Sequence, residues 1–238
     1  MKFFTLCRSL IFQVLFYAWS AFVIIFFLPT LILPDRYTLW MPITWGYGTR
    51  FLLRWICGTH VRATGLENLP KKSGYIIASK HESAMETTLF HTFIPDAFYV
   101  LKRVLAWLPF MCFYFKKTHC ILIDRKGGAV AMRNMLEGTK KTIQMSKNLI
   151  IFPEGTRVKP RTKTKYNHGV ALLYEQCKVP VVPVALNTGY FWPKNDLYRY
   201  SGTVTFAFLP PIEPGLEKRQ FLALLEDKIE TACAQLNP

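Results

Sequence analysis

Acidic residues are scarce in this 238-residue chain: 15 Asp and Glu stand against 30 Lys and Arg, a formal net charge of +15. A surplus of that size calls for an anionic partner, and nucleic acid, acidic lipid, a phosphorylated substrate and an acidic carrier protein all qualify. Cysteine is sparse and scattered. Cys7, Cys57, Cys112, Cys120, Cys177 and Cys233 contain no C-x-x-C pair and no histidines at zinc spacing. That argues against a zinc module and an oxidising compartment, and the thiols are expected to be free and mostly buried. No internal repeat or low-complexity linker divides the chain, so one globular domain with an appendage is the economical reading.

Charge is missing altogether from Leu10 to Leu33, where Gln13 is the strongly polar interior side chain. A helix of that length covers a hydrocarbon core of roughly 30 Å. The run outlasts a signal-peptide core and ends in Leu-Pro-Asp-Arg, so it is read as retained. From Tyr37 to Cys57, Trp40, Trp45, Tyr47 and Trp55 lie among Leu and Ile, with Arg50 and Arg54 four apart. Aromatic rings and snorkelling arginines suit the membrane–water interface. Residues 1–58 are therefore expected to form a membrane-binding helical hairpin in one leaflet. The remainder would stay where the chain began, on the cytoplasmic side of the inner membrane. A single span, which would carry the remainder across, is the competing topology.

After Gly65, short β-branched runs alternate with helical stretches, the pattern of an α/β domain over residues 59–238. Expected strands are 75–79, 97–102, 121–125, 149–153, 179–186 and 203–209. Expected helices are 84–93, 104–115, 129–145, 169–176 and 216–236. Together they predict a mixed, largely parallel central sheet flanked by helices.

Two segments carry chemistry. Strand 75–79 delivers Lys80 and His81 to a strand end just before a helix, where sites collect in doubly wound sheets. His81 and Glu86 are five apart, about 140° of rotation on a regular helix, so they pair only if His81 lies in the turn before it. Glu86 would then fix one ring nitrogen while the other takes a substrate proton. Ser83, two residues from His81, invites a serine-nucleophile reading but is read as a cap or small packing residue, and Glu82 is expected to point away. The second segment, Phe152-Pro153-Glu154-Gly155-Thr156-Arg157, follows an apolar strand. Gly155 permits close backbone approach, and Thr156 and Arg157 offer a hydroxyl and a charged fork to phosphate oxygens. Lys159 to Lys165 reads as a solvated or headgroup-contacting run. His60, His91, His119 and His168 read as structural.

In these blocks the chain resembles the glycerolipid acyltransferases, and especially the 1-acylglycerol-3-phosphate O-acyltransferases. The His-x4-Asp block is similar to His81–Glu86, and Ile123-Asp124-Arg125 resembles the second. Phe152–Arg157 matches Phe-Pro-Glu-Gly-Thr-Arg letter for letter, and Val179-Pro180-Val181-Val182-Pro183-Val184 resembles a Val-Pro-rich fourth block. The resemblance covers about residues 60–210. It departs at Glu86, where the family usually has Asp.

The resemblance implies acyl transfer from acyl-carrier protein or acyl-coenzyme A to the sn-2 hydroxyl of lysophosphatidic acid, forming phosphatidic acid. His81 would be the base and Glu86 its orienter. Arg125 and Arg157 would hold the phosphate, Glu154, Gly155 and Thr156 would shape its pocket, and Lys102 is a further basic candidate. The thioester is already activated, so no metal and no cofactor is expected. Membrane lipid is the expected surroundings and nucleic acid is not an expected partner. Two other readings are a related acyltransferase acting on a lyso-ornithine lipid and a non-catalytic basic protein. The second leaves the order of His81, Glu86, Arg125 and Arg157 unexplained.

Overall fold

The computed structural model describes residues 2–124 and 127–236. Its seven strands, in chain order, are β1 (Thr59–Thr64), β2 (Ile76–Ser79), β3 (Ala97–Lys102), β4 (Ile121–Ile123), β5 (Asn148–Ile151), β6 (Val181–Leu186) and β7 (Gly202–Phe208). The helices are α1 (Lys2–Phe26), α2 (Asp35–Thr38), α3 (Trp40–Leu52), α4 (Met85–Leu89), α5 (Met111–Lys117), α6 (Gly128–Gln144), α7 (His168–Cys177), α8 (Thr188–Phe191) and α9 (Lys218–Gln235).

The strands form one sheet in the order β1-β7-β6-β2-β5-β3-β4. Every neighbouring pair is parallel except β6 with β7. Central β2 is buried along its whole length, as a strand covered on both faces must be. Its side chains alternate between two cores. Ile77 faces a cluster with Phe12 and Phe16 of α1 and Leu89 of α4. Ile76 and Ala78 face another, shared with Met135 of α6, Leu173 of α7 and Phe221 of α9. The N-terminal helices therefore cover one sheet face and share its core.

That packing runs along α1. Near its start Arg8 donates to the carbonyls of Ile56 and Cys57. Further along, Phe12 and Phe16 meet the ring of Trp192 edge-on, and near its end the Tyr114 hydroxyl donates to the Ile24 carbonyl at 2.6 Å. Helix α3 returns against it: Trp45 Nε1 donates to Ser20 Oγ at 2.9 Å. At Gly48 the Trp19 ring fills the space a Cβ would need. The opposite side of α1 remains apolar and exposed at Ile11, Val14, Phe22, Ile25 and Phe26. By length and composition, Phe3–Ile32 is long and apolar enough to cross a membrane.

Several sequence expectations shift. Strand β1 was not anticipated, because Thr-His-Val-Arg-Ala-Thr buries only alternate side chains at the sheet edge. The expected helix 104–115 is a 3₁₀ segment, Arg103–Trp107, followed by α5. Pro109 forces Leu108 into an extended conformation, and Phe110 takes φ +61°. Helix 84–93 shortens to α4 plus a 3₁₀ turn, Phe90–Thr92. Arg50 donates to the Val61 carbonyl at 2.8 Å, and Arg54 Nη1 lies 3.1 Å from the His60 ring. Of the free thiols Cys57 is buried and Cys112 is exposed, with the other four between, so most are not buried.

Candidate active site

Parallel pairing brings the chemistry to one edge. Ala78 of β2 is level with Ile151 of β5, and Ser79 with Val184 of β6. The chain leaving β2 thus carries Lys80 and His81 beside Phe152–Arg157 and beside Thr188 after β6. Sites gather at this carboxyl edge of an open α/β sheet.

His81 lies in the turn before α4, where its spacing from Glu86 requires it to be. Its Nδ1 is 2.8 Å from Glu86 Oε1. Its ring stacks on Phe152 at 4.0 Å between centroids and 17° between planes, which fixes the ring's tilt. The backbone is held as well: Glu154 Oε2 accepts the His81 N–H at 2.8 Å, and the His81 carbonyl accepts the Val158 N–H at 2.7 Å.

The Glu86 carboxylate is placed by a capping box, Ser83-Ala84-Met85-Glu86. Ser83 Oγ accepts the Met85 N–H at 3.0 Å, and Glu86 Oε1 reaches back to the N–H groups of Ser83 and Glu82, both at 2.7 Å. Thr188 Oγ1 donates to Glu86 Oε2 at 2.8 Å. The carboxylate is fully buried and accepts from all four of these donors, His81 included. One oxygen, Glu86 Oε1, thus serves both cap amides and the imidazole. Glu82 does point away from His81: its buried carboxyl accepts the Gly189 N–H at 2.9 Å. Burial pushes it up to about 8, with the Gly189 N–H opposing and the Glu86 charge adding.

Beneath His81 lies a buried ionic cluster that the sequence reading missed. Lys80, 1% exposed, has its Nζ 2.7 Å from Glu154 Oε1 and 2.7 Å from Glu230 Oε1 of α9. The Tyr166 hydroxyl donates to the same Glu230 oxygen at 3.0 Å. Burial pulls the Lys80 ammonium down, yet its two carboxylates hold it above its usual value. Burial also pushes Glu154 up, against the pull of Lys80. The cluster is an ion pair, because a neutral amine would leave the buried Glu154 and the partly buried Glu230 without a counter-charge. No local motif announces Glu230 or Thr188; the one signal available was that Thr188 directly follows a strand at this edge.

The phosphate-side candidates divide. Gly155 takes φ +68°, the left-handed turn its lack of a side chain allows, and its N–H donates to the Phe152 carbonyl. Thr156 is exposed and Arg157 half-buried, one residue from the Val158 bond to His81. Lys194 joins them, donating to the Arg157 carbonyl at 3.0 Å. Glu154 is turned inward, with its oxygens on Lys80 and the His81 amide. Lys102 is exposed at the same sheet edge, level with Ile123, and lies two strands from β2, about 10 Å across the sheet. Arg125 lies outside the described residues. Lys159, Arg161, Lys163 and Lys165 are exposed.

The acyltransferase family profile matches residues 60–187. A 1-acyl-sn-glycerol-3-phosphate acyltransferase of Pseudomonas aeruginosa is 31% identical over 192 residues, covering 79% of this chain and 74% of that protein. One from Borreliella burgdorferi is 28% identical, covering 74% and 72%, while the Limnanthes douglasii enzyme is 30% identical with only 57% of its length covered. In fold, the crystal structure of the 1-acyl-sn-glycerophosphate (LPA) acyltransferase PlsC from Thermotoga maritima superposes with a TM-score of 0.82 at 21% identity, covering 96% of both chains. With the family profile matched over more than half its length, and a capped, fully buried carboxylate holding the histidine of its first motif, this chain belongs to the acyltransferase family.

Proposed function

We propose that this acyltransferase transfers an acyl group from acyl-carrier protein or acyl-coenzyme A to the sn-2 hydroxyl of 1-acylglycerol-3-phosphate, forming phosphatidic acid. The observation that carries the mechanism is the 2.8 Å contact between His81 Nδ1 and the buried Glu86. With Nδ1 committed as donor to that carboxylate, Nε2 is the lone-pair nitrogen that takes the acceptor's hydroxyl proton. The alkoxide attacks the thioester carbonyl, a tetrahedral oxyanion forms and collapses, and the thiolate leaves, with the imidazolium returning the proton to it. Glu86 stabilises that imidazolium, as the carboxylate of a Ser-His-Asp triad does. The thioester is activated already, so no covalent enzyme intermediate is needed.

Arg157, with Arg125 and Lys194, supplies the positive charge for the acceptor's phosphate, and Gly155 and Thr156 shape the turn that meets it. Lys102 is a more distant contributor. The acyl chain has a place too. An apolar cavity of about 620 Å³ runs from Thr87 and Tyr99, beside the site, to Ile25 on α1. Tyr99 stacks on Phe152 at 6.3 Å, and Phe152 in turn on His81, so the cavity begins one ring beyond the base. The exposed apolar side of α1 supports insertion into one leaflet, and in this reading the catalytic part faces the cytoplasm from the inner membrane.

The test is transfer to labelled 1-acylglycerol-3-phosphate from each donor by the purified protein. His81→Ala abolishes turnover, and Arg157→Ala raises the acceptor KM. Full activity of His81→Ala sinks the mechanism, and an unchanged KM and rate for Arg157→Ala removes the phosphate assignment. Turnover of a lyso-ornithine lipid in preference to the phosphate would replace the acceptor.

A further inference from the structure

The α/β part carries an apolar arm of its own. Residues 104–113, V-L-A-W-L-P-F-M-C-F, leave the sheet edge after Lys102 and return to it through α5. The side chain of Trp107 is 87% exposed, and Val104, Leu108, Phe110 and Phe113 are exposed with it. Burying none of these residues inside the protein costs solubility, and a contiguous apolar surface of this kind marks an interaction site.

Three observations identify what covers it. The arm is rooted on the hairpin: beyond the Tyr114 bond to Ile24, Lys117 Nζ donates to the Leu33 carbonyl at 2.7 Å and pairs with Asp35 at 3.1 Å. Its apolar surface continues that of α1, because exposed Tyr17 and Ile25 of α1 and exposed Leu105, Leu108 and Phe110 of the arm line the rim of the same cavity. Its ends are basic, Lys102 and Arg103 before and Lys116 and Lys117 after, and an exposed tryptophan sits between. Apolar and indole side chains bracketed by cations match the layering of acyl chains, interface and anionic headgroups.

We propose that residues 104–113 are a second membrane-inserting arm, entering the same leaflet as the exposed side of α1, so that the cavity between them opens sideways into the leaflet. This rests on the membrane reading of α1. A lipid tail then enters the cavity without crossing water, and the basic ends hold the phosphate layer level with the sheet edge that carries His81.

The experiment uses the full chain and vesicles of phosphatidylethanolamine and phosphatidylglycerol containing brominated acyl chains, which quench tryptophan on contact. Trp107→Phe isolates the Trp107 signal by difference. The expected result is a quenched, blue-shifted Trp107 component. A Trp107 component that stays unquenched and solvent-like, while the exposed hairpin tryptophans Trp40 and Trp55 are quenched, overturns the arm and spares the hairpin. No quenching of any tryptophan overturns both. In a second arm, Trp107→Gln with Phe113→Gln lowers vesicle partitioning about tenfold by removing apolar insertion, with turnover in detergent micelles unchanged. Unchanged partitioning, or loss instead of a dimer seen by sedimentation, refutes the proposal, the latter by assigning the patch to a second copy of the chain.

Discussion

Replacing Glu86 by glutamine removes its charge and leaves its shape. Gln Oε1 still accepts from the Ser83 and Glu82 amides, and a neutral imidazole still meets it at Nδ1. What is lost is the charge facing the imidazolium that forms as the proton leaves the acceptor. A hydrogen bond to a charged group contributes about 1.5–3 kcal/mol. At 1.4 kcal/mol per factor of ten, Glu86→Gln lowers kcat by about 10- to 150-fold, with the acceptor KM unchanged. Single-turnover rates with saturating thioester read the chemical step directly. Glu86→Ala is the contrast: it orphans two buried amides at about 1–3 kcal/mol each, and so loses stability as well as rate. If Glu86→Gln turns over like the wild type while folding normally, the carboxylate is a helix cap alone, and its role toward His81 is refuted.

Glu82, pushed up to about 8 by burial, binds a proton in the folded state that the unfolded chain releases near its ordinary value. Its folded value is the higher one, so stability is greatest below the unfolded value and falls as pH rises toward 8, by on the order of 1 kcal/mol per pH unit for this group. Glu82→Gln removes that slope, and urea midpoints at pH 5, 6.5 and 8 read it; an unaltered slope would mean that Glu82 is ionised in the fold. Glu230→Ala leaves Lys80 one carboxylate and Tyr166 no acceptor. We expect about 1–3 kcal/mol less stability and a lower kcat at unchanged KM, because Lys80 and Glu154 hold the His81 backbone; wild-type midpoints and rates would show the cluster to be inert.

Much of the site was legible because it is local. His81 and Glu86 are five positions apart, which no regular helix would bring face to face, so their spacing alone placed His81 outside the helix. The strand before each motif was legible from its unbroken apolar run. The edge strand β1 was not, since half of Thr59–Thr64 faces solvent and its stability comes from pairing with β7, more than a hundred residues away. The helix over 104–115 misled because an apolar run has no periodicity to contradict it, although Pro109, the residue that breaks it, stands in the sequence itself. Glu154 looked like part of a phosphate pocket because its motif neighbours are polar; its carboxylate instead meets Lys80 and the His81 N–H at the end of β2, and Lys80 in turn reaches Glu230 of α9.

The linear chain determined the family, the strand–turn motifs and the apolar N-terminal helix, since each depends on residues within a few positions of one another. Tertiary structure decided the rest. Parallel register set Phe152 under His81 and Thr188 against Glu86, α9 brought Glu230 to Lys80, and the fit of α1 on the sheet made the cavity that ends at the arm. Those contacts join residues tens to more than a hundred positions apart. Such pairs meet only because burying both faces of one sheet brings them together, and no spacing along the chain records that.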